Sequence, residues 1–127
     1  MKSVLLVDDD PVCNFIMSKT LQSILPGIEI LKALNGQEAM ELLLNLEANH
    51  LPFPKQIFLD IDMPVMNGFG FLEEMRKQNL EKYCSIAIVS SSNDPGDIAK
   101  AHSLGVEEFI EKPIAGEKVA RFLNEPG

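Results

Sequence analysis

Five short apolar runs, each followed by a segment with helical spacing of apolar residues, constrain the fold more than any other feature of this chain. The runs begin near Ser3, Ile28, Gln56, Ser85 and Phe109. Runs of this length predict strands, and the spacing that follows them predicts amphipathic helices. Strands that alternate with helices favour a parallel sheet covered on both faces, because right-handed crossovers leave few other topologies. We therefore predict an α/β fold, a doubly wound parallel sheet of five strands with five helices.

Polar side chains lie where four of the predicted strands end. Asp8 and Asp9 follow the first run, Asp60 follows the third, Ser90 closes the fourth and Lys112 follows the fifth. In doubly wound sheets ligands bind beyond the carboxyl ends of the strands, at one edge of the sheet. We therefore expect these five residues to converge on one site.

The acids in this set predict a site for a hard divalent cation. Three carboxylates held together repel one another unless a cation lies among them or one of them is protonated. Mg²⁺ is the expected cofactor, because it combines one or two carboxylates with waters and a substrate phosphate. Ser90 would donate a hydrogen bond to a phosphoryl oxygen and Lys112 would neutralise another, while Asp60 attacks in line. The chemistry predicted at this edge is formation of an aspartyl phosphate.

Composition limits the other functions that the chain could serve. Its 127 residues suit one domain, for which we expect the bounds 1–127 and no output domain. A formal charge of -8 without a basic patch argues against direct binding of nucleic acid. Since no run is long enough to span a bilayer and no signal-peptide pattern is visible, we expect a cytoplasmic protein that does not bind membranes. Cys13 and Cys84 are predicted to be packing residues.

The chain resembles the receiver domain of bacterial two-component response regulators over essentially its whole length. The segments that carry the resemblance are Val7-Asp8-Asp9-Asp10-Pro11, Leu59-Asp60-Ile61-Asp62-Met63-Pro64 with Gly68, Val89-Ser90-Ser91, and Phe109-Ile110-Glu111-Lys112-Pro113. They occur in the order that the family has. The resemblance implies the flavodoxin-like strand order 2-1-3-4-5 and a stand-alone regulator of the chemotaxis or phosphorelay kind.

The resemblance also implies roles for the acids. Asp60 is the implied phosphoacceptor. Asp9 and Asp60 are implied to bind Mg²⁺ through their side chains, Asp62 through its backbone carbonyl, and Asp8 mainly through water. The side chain of Asp62 is a departure, because it places a fourth carboxylate two residues beyond the acceptor. We hypothesise that this charge changes the rate at which the phosphoryl group is hydrolysed.

The remaining matched positions imply a switch. In this family the residue at the position of Ser90 is drawn toward the phosphoryl group, and the aromatic residue at the position of Phe109 takes the vacated space. Lys112 is implied to assist the transfer, and the peptide bond between Lys112 and Pro113 is expected to be cis. The surface formed by the fourth helix, the last strand and the last helix would then change shape for a downstream partner.

The family further implies partners. A histidine kinase or a histidine phosphotransfer protein donates the phosphoryl group. The receiver catalyses only its own phosphorylation and dephosphorylation, so we do not expect an enzyme in the usual sense. The sequence identifies neither the donor nor the downstream protein, and it leaves open a monomer or a homodimer that forms on phosphorylation.

Two alternative functions stay open at this point. Asp60-Ile61-Asp62 after an apolar run also resembles the nucleophile motif of haloacid-dehalogenase-type phosphatases, which form an aspartyl phosphate with Mg²⁺. Against this alternative, Val65 lies where a threonine is expected close to the second acid, and Asp8-Asp9 precedes the motif. The other alternative is a pseudo-receiver that is never phosphorylated and serves as a binding module. The complete set of five site residues argues against it.

Overall fold

The structure is a computed structural model that describes residues 2–91, 94–106 and 108–124. Its strands are β1 (Ser3–Val7), β2 (Glu29–Ala33), β3 (Gln56–Leu59), β4 (Ser85–Ser90) and β5 (Glu108–Glu111). Its helices are α1 (Pro11–Ile24), α2 (Gly36–Ala48), α3 (Gly68–Lys77), α4 (Pro95–Ser103) and α5 (Gly116–Leu123). Within the described ranges the strands form one parallel sheet in the order β2-β1-β3-β4-β5. The predicted doubly wound sheet and its strand order 2-1-3-4-5 are confirmed.

Two apolar clusters, one on each face of the sheet, form the core. Successive side chains of a strand point to opposite faces, so neighbouring residues of one strand belong to different clusters. Ile57 of β3 packs in the cluster that includes residues of α2 and α3, whereas Phe58 packs in the cluster of α1 and α5. Burial of each such side chain contributes roughly 1.5–3 kcal/mol. The two clusters fix the sheet from both sides and leave its carboxyl edge to the loops.

The strand pairing places the predicted site residues side by side. The Asp60 N–H donates to the carbonyl of Val7, the last residue of β1, at 2.9 Å. Asp8 and Asp60 therefore leave neighbouring strands at the same level of the sheet. On the other side, the Lys112 N–H donates to the carbonyl of Ser90 at 2.8 Å. The backbone pairing of the sheet alone therefore aligns four of the predicted site residues, Asp8, Asp60, Ser90 and Lys112.

Short polar side chains cap α1, α2, α3 and α4, which begin at this edge. The caps are Asp10, Asn35, Asn67 and Asp94, and each accepts a hydrogen bond from a backbone N–H of the first helical turn. Such a cap typically contributes about 1 kcal/mol. In the part of the chain that the structure describes, no helix has the length and apolar character needed to cross a membrane. A short 3₁₀ helix at Glu81–Tyr83, between α3 and β4, was not predicted.

The two cysteines differ in their surroundings. Cys84 packs against the core cluster, and burial raises the pKa of its thiol to about 12. Cys13 is half-buried on α1, and its Sγ lies 3.3 Å from Oδ2 of Asp10. The prediction of a packing role therefore holds for Cys84, whereas Cys13 contacts a polar loop near the carboxyl edge.

Candidate functional site

Asp60 lies at the carboxyl end of β3, where the chain enters a tightly closed loop. The residue is only 8% exposed. The loop returns to its own start, since the Gly68 N–H donates to the Ile61 carbonyl at 2.9 Å. A Cβ atom on Gly68 would lie 2.5 Å from the Asp60 carbonyl oxygen. Glycine is therefore required where α3 begins, because it lets the helix start directly against the backbone of Asp60.

Lys112 connects the carboxylates of Asp60 and Asp8. Its Nζ donates to Oδ2 of Asp8 at 3.0 Å and lies 3.9 Å from Oδ2 of Asp60. The other oxygen of Asp8, Oδ1, accepts the backbone N–H of Asp10 at 2.9 Å. One ammonium group thus serves two buried carboxylates and binds Asp8 more closely.

Asp9 completes an acidic cluster with Asp8 and Asp60. The three residues offer carboxylate oxygens that all lie within 4.8 Å of one another. Asp9 is exposed, unlike the other two acids. Asp62 is also exposed, and the backbone N–H groups of Ile61 and Asp62 lower the pKa of the nearby Asp60 carboxylate. Three acids therefore surround a space that one lysine and a few N–H groups partly neutralise.

This crowding changes the protonation of the buried groups. Burial, and then the charge of Asp8, raise the pKa of Asp60 from its ordinary value of 3.8 to about 6, although Lys112 and the backbone N–H groups oppose the rise. Burial disfavours the charged form of Lys112. Its hydrogen bond to Asp8 and its attraction to Asp60 outweigh that effect and raise the pKa of the lysine. Near neutral pH both Asp60 and Lys112 are therefore charged.

Ser90 and Phe109 lie on the next two strands. Ser90 is completely buried at the end of β4. Phe109 pairs with Ile88 of β4 and packs half-buried against the core cluster. The peptide bond between Lys112 and Pro113 is cis, as expected. The structure thus brings the charged predicted residues together and places Ser90 beside the backbone of Lys112.

All of these residues fall within residues 4–124, which match the family model of the response regulator receiver domain. The chain belongs to this family. Sensor histidine kinase CheAY of Helicobacter pylori is 36% identical over 114 residues, which cover 90% of this receiver domain and 13% of that protein. The receiver domain spans less than a third of the length of the first curated relatives that it matches.

Solved structures agree in fold. A two-component response regulator from Cytophaga hutchinsonii matches with a TM-score of 0.86 and 30% identity, and the match covers 98% of this receiver domain and 95% of that chain. The CheX-CheY-BeF3-Mg+2 complex from Borrelia burgdorferi matches with a TM-score of 0.81 and 25% identity, covering 96% of this chain and 86% of that one.

The acidic cluster of this receiver domain fits a divalent cation. Receiver domains generally bind Mg²⁺ at such a cluster. Burial is the main cause of the raised pKa of Asp60, and repulsion by Asp8 adds more to the rise than Lys112 offsets. A cation among the three carboxylates would relieve that repulsion, and a set of carboxylate oxygens is the donor set that Mg²⁺ prefers.

Asn14 is a residue of the site region that the sequence analysis missed. It lies on α1, is 7% exposed, and donates from Nδ2 to the backbone carbonyl of Asp8 at 2.9 Å. The sequence does carry a sign of it, because Asn14 is a polar residue on the same helical stripe as the buried Met17 and Leu21.

Val65 is a second unpredicted feature of this receiver domain. It lies in the loop after Asp60 with φ +68°, and it is 84% exposed. The Gly36 N–H donates to the carbonyl of the next residue, Met66, at 2.8 Å. A β-branched residue rarely adopts this backbone conformation, so no sequence pattern predicts it here.

Proposed function

We propose that this receiver domain accepts a phosphoryl group on Asp60 in a Mg²⁺-dependent reaction, and that a histidine kinase or histidine phosphotransfer protein is the donor. The observation that carries the proposal is the environment of Asp60. This buried carboxylate shares Lys112 with Asp8 and lies among carboxylate oxygens within 4.8 Å of one another. Such crowding costs free energy, which a structural role for the acids would not repay.

The Asp60 carboxylate is the proposed nucleophile. One of its oxygens forms a bond to phosphorus as the bond from phosphorus to the donor's histidine nitrogen breaks, and the nitrogen keeps the electron pair. Attack requires the ionised form of Asp60, which predominates above a pH of about 6. The N–H groups of Ile61 and Asp62 favour this ionised form, because they lower the pKa of Asp60.

Lys112 and Ser90 are proposed to stabilise the transferred group. The Lys112 Nζ lies 3.0 Å from Oδ2 of Asp8 and 3.9 Å from Oδ2 of Asp60. It can therefore contact an oxygen of a phosphoryl group on Asp60 with little movement. Ser90 ends the strand next to Lys112, and its hydroxyl is the proposed donor to another phosphoryl oxygen.

Four acids are proposed to hold the metal ion. Asp9 and Asp60 would bind Mg²⁺ through their side chains, Asp62 through its backbone carbonyl, and Asp8 mainly through water. When bound, Mg²⁺ supplies positive charge that balances the charge developing on the phosphoryl oxygens. The similar CheY chain from Borrelia burgdorferi, whose complex contains BeF3 and Mg+2, supports this assignment.

The proposed output surface is formed by α4, β5 and α5. Phosphorylation adds nearly two negative charges and three acceptor oxygens beside the end of β4. We propose that this draws the Ser90 hydroxyl inward and lets Phe109, which is only half-buried, occupy the space it leaves. Because α4 buries only Ala101 of its nine residues, its position can respond at small cost.

The proposed donor surface surrounds the acidic cluster. Four large apolar side chains near the carboxyl edge are more than half exposed, namely Val12, Phe15, Leu34 and Val65. Phe15 and Leu34 also line one groove between α1 and β2. Apolar groups around an acidic site suit a protein donor that excludes water while it presents a phosphohistidine.

Mass spectrometry of the intact protein after incubation with acetyl phosphate tests the proposed acceptor. We expect one Mg²⁺-dependent phosphoryl adduct in the native chain and none in Asp60→Asn. Asp62→Asn is the matched control, since it removes a neighbouring carboxylate and keeps the acceptor.

We also propose that Asp62 changes the lifetime of the adduct, and equal half-lives for Asp62→Asn and the native chain would contradict that role.

The same experiment separates the alternatives. An adduct in Asp60→Asn would assign another acceptor. Absence of an adduct, together with no beryllofluoride complex, would favour the pseudo-receiver. Turnover of p-nitrophenyl phosphate that is lost in Asp60→Asn would favour the phosphatase.

A further inference from the structure

We infer that Asn14 is a positioning residue that fixes the acidic pair Asp8 and Asp9 for the metal ion, although it touches neither carboxylate. The inference rests on the proposed function, because it concerns the same Mg²⁺ site. It starts from one contact, the hydrogen bond from Nδ2 of Asn14 to the backbone carbonyl of Asp8 at 2.9 Å.

An amide at this position is costly unless its hydrogen bond is needed. Asn14 precedes Met17 and Leu21 on the buried stripe of α1, where an apolar side chain would pack without penalty. A buried polar group that lacks a partner destabilises the folded state, so the contact with Asp8 is what makes the amide tolerable here. An apolar side chain at this position would stabilise the fold by packing alone. Asn14 instead orients the backbone of Asp8.

The bonded carbonyl belongs to the peptide unit that joins the two acids. That unit is planar and contains the Cα atoms of both Asp8 and Asp9. A donor that fixes its oxygen therefore fixes the plane from which both carboxylates project. The opposite side of Asp8 is held as well, since its N–H donates to the Ala33 carbonyl at 3.1 Å.

Loss of the amide would affect the two acids unequally. The Asp8 carboxylate keeps its own bonds, from Lys112 at 3.0 Å and from the Asp10 N–H at 2.9 Å. Asp9 is exposed, so its position depends on the backbone that Asn14 holds. The predicted defect is thus weaker metal binding with the contact between Asp8 and Lys112 intact.

Titration of the unphosphorylated protein with Mg²⁺ by calorimetry tests this role in Asn14→Leu, which keeps the size of the side chain and removes the donor. Partners that orient metal ligands typically change metal affinity by 10–100-fold, so we expect the Kd for Mg²⁺ to rise about tenfold. The Mg²⁺ concentration that half-saturates phosphorylation by acetyl phosphate should rise equally. The rate at saturating Mg²⁺ should stay within about threefold of the native rate, because Asp60 and Lys112 are unchanged.

Met17→Ala is the matched control, because it removes a buried side chain from the same face of α1 and leaves the hydrogen bond from Asn14 to Asp8 in place. We expect it to lower stability while leaving the Kd for Mg²⁺ within about twofold of the native value. Asn14→Ala, which removes the donor and adds no charge, should weaken Mg²⁺ binding in the same way as Asn14→Leu. It serves if the leucine variant fails to fold.

The outcomes are distinct. A native Kd in both Asn14 variants overturns the positioning role, and so does an equal loss of affinity in Met17→Ala. If the native chain itself does not bind Mg²⁺, the proposed function fails and this inference fails with it. That result is recognised in the native titration before any variant is compared.

Discussion

Helices α1 and α4 begin with the same local chemistry and are anchored very differently. Each follows a strand that has a predicted site residue at its carboxyl end, Asp8 just after β1 and Ser90 as the last residue of β4. Each starts with an Asp-Pro pair whose aspartate caps the first turn. Helix α1 has 14 residues and buries Asn14, Met17 and Leu21, whereas α4 has nine and buries only Ala101. The Asp-Pro pair that starts a helix therefore does not determine how firmly that helix is anchored to the core. The two helices thus begin alike and differ in how much of their surface the core buries.

Two contacts tie α4 to α3 at its surface. The Lys100 Nζ lies 4.7 Å from the centre of the Phe69 ring, and the Arg76 side chain donates to the Ser103 carbonyl at 3.1 Å. Exposed contacts of this kind contribute at most about 1 kcal/mol each, well below the burial of one large side chain. The difference between the two helices thus lies mainly in their apolar faces.

Removal of one buried side chain from each helix tests the difference in anchoring most directly. We expect Leu21→Ala on α1 to lower the free energy of unfolding by about 2–5 kcal/mol, because Leu21 is completely buried. Ile98→Ala on α4 should cost about 1 kcal/mol, since Ile98 is only half-buried. Urea unfolding measures both, and equal losses would contradict the comparison.

Asp60, the acid that follows β3, carries a pH-dependent cost. The folded chain protonates Asp60 at about pH 6 and the unfolded chain at about 3.8, so the folded state binds more protons between these values. Stability due to this group is therefore greatest below pH 3.8 and falls as pH rises to about 6. The full penalty above that pH is about 3 kcal/mol.

Asp60→Asn should remove this penalty. Without divalent cations, we expect the variant to be more stable than the native chain by up to about 3 kcal/mol at pH 7.5, with the difference vanishing near pH 4. Urea unfolding between pH 4 and 8 in EDTA measures it, with the exposed Asp62→Asn as control. A variant less stable than the native chain at neutral pH would show that Asp60 is not electrostatically strained.

The capping residues Asp10 and Asp94 test the same difference between α1 and α4 through a smaller expected effect. Asp10→Ala should lower the global free energy of unfolding by about 1 kcal/mol, because α1 unfolds with the core. Asp94→Ala should leave the global value unchanged and accelerate amide hydrogen exchange within α4 about fivefold, because α4 can open locally. Equal exchange rates in α4 before and after Asp94→Ala would indicate that α4 opens only with the whole domain.

The smallest expected effect concerns the outward faces. Phe15 on α1 is exposed beside the acids, so Phe15→Ser should leave stability within about 0.5 kcal/mol of native. It should slow transfer from a protein phosphodonor several-fold and leave phosphorylation by acetyl phosphate unchanged. Equal slowing with both donors would place the defect in the acceptor site.

The sequence predicted those parts of the site that follow from backbone topology. Asp8 and Asp60 follow apolar runs, and parallel pairing of β1 with β3 then makes them neighbours. The preference of Lys112 for Asp8 over Asp60 could not be predicted, because it depends on how one flexible side chain crosses the site. Asn14 is visible in the sequence as a polar residue on the buried stripe of α1, but the sequence does not show which group its amide contacts.

The exposed Val65 has a consequence for association. Its branched side chain has few rotamers, and its backbone is held by the closed loop and by the bond between Gly36 and Met66. A long flexible side chain immobilised at an interface loses about 0.5–1.5 kcal/mol of conformational entropy. A phosphodonor protein that contacts Val65 would immobilise a side chain that already has little conformational freedom. Contact at Val65 therefore costs little conformational entropy.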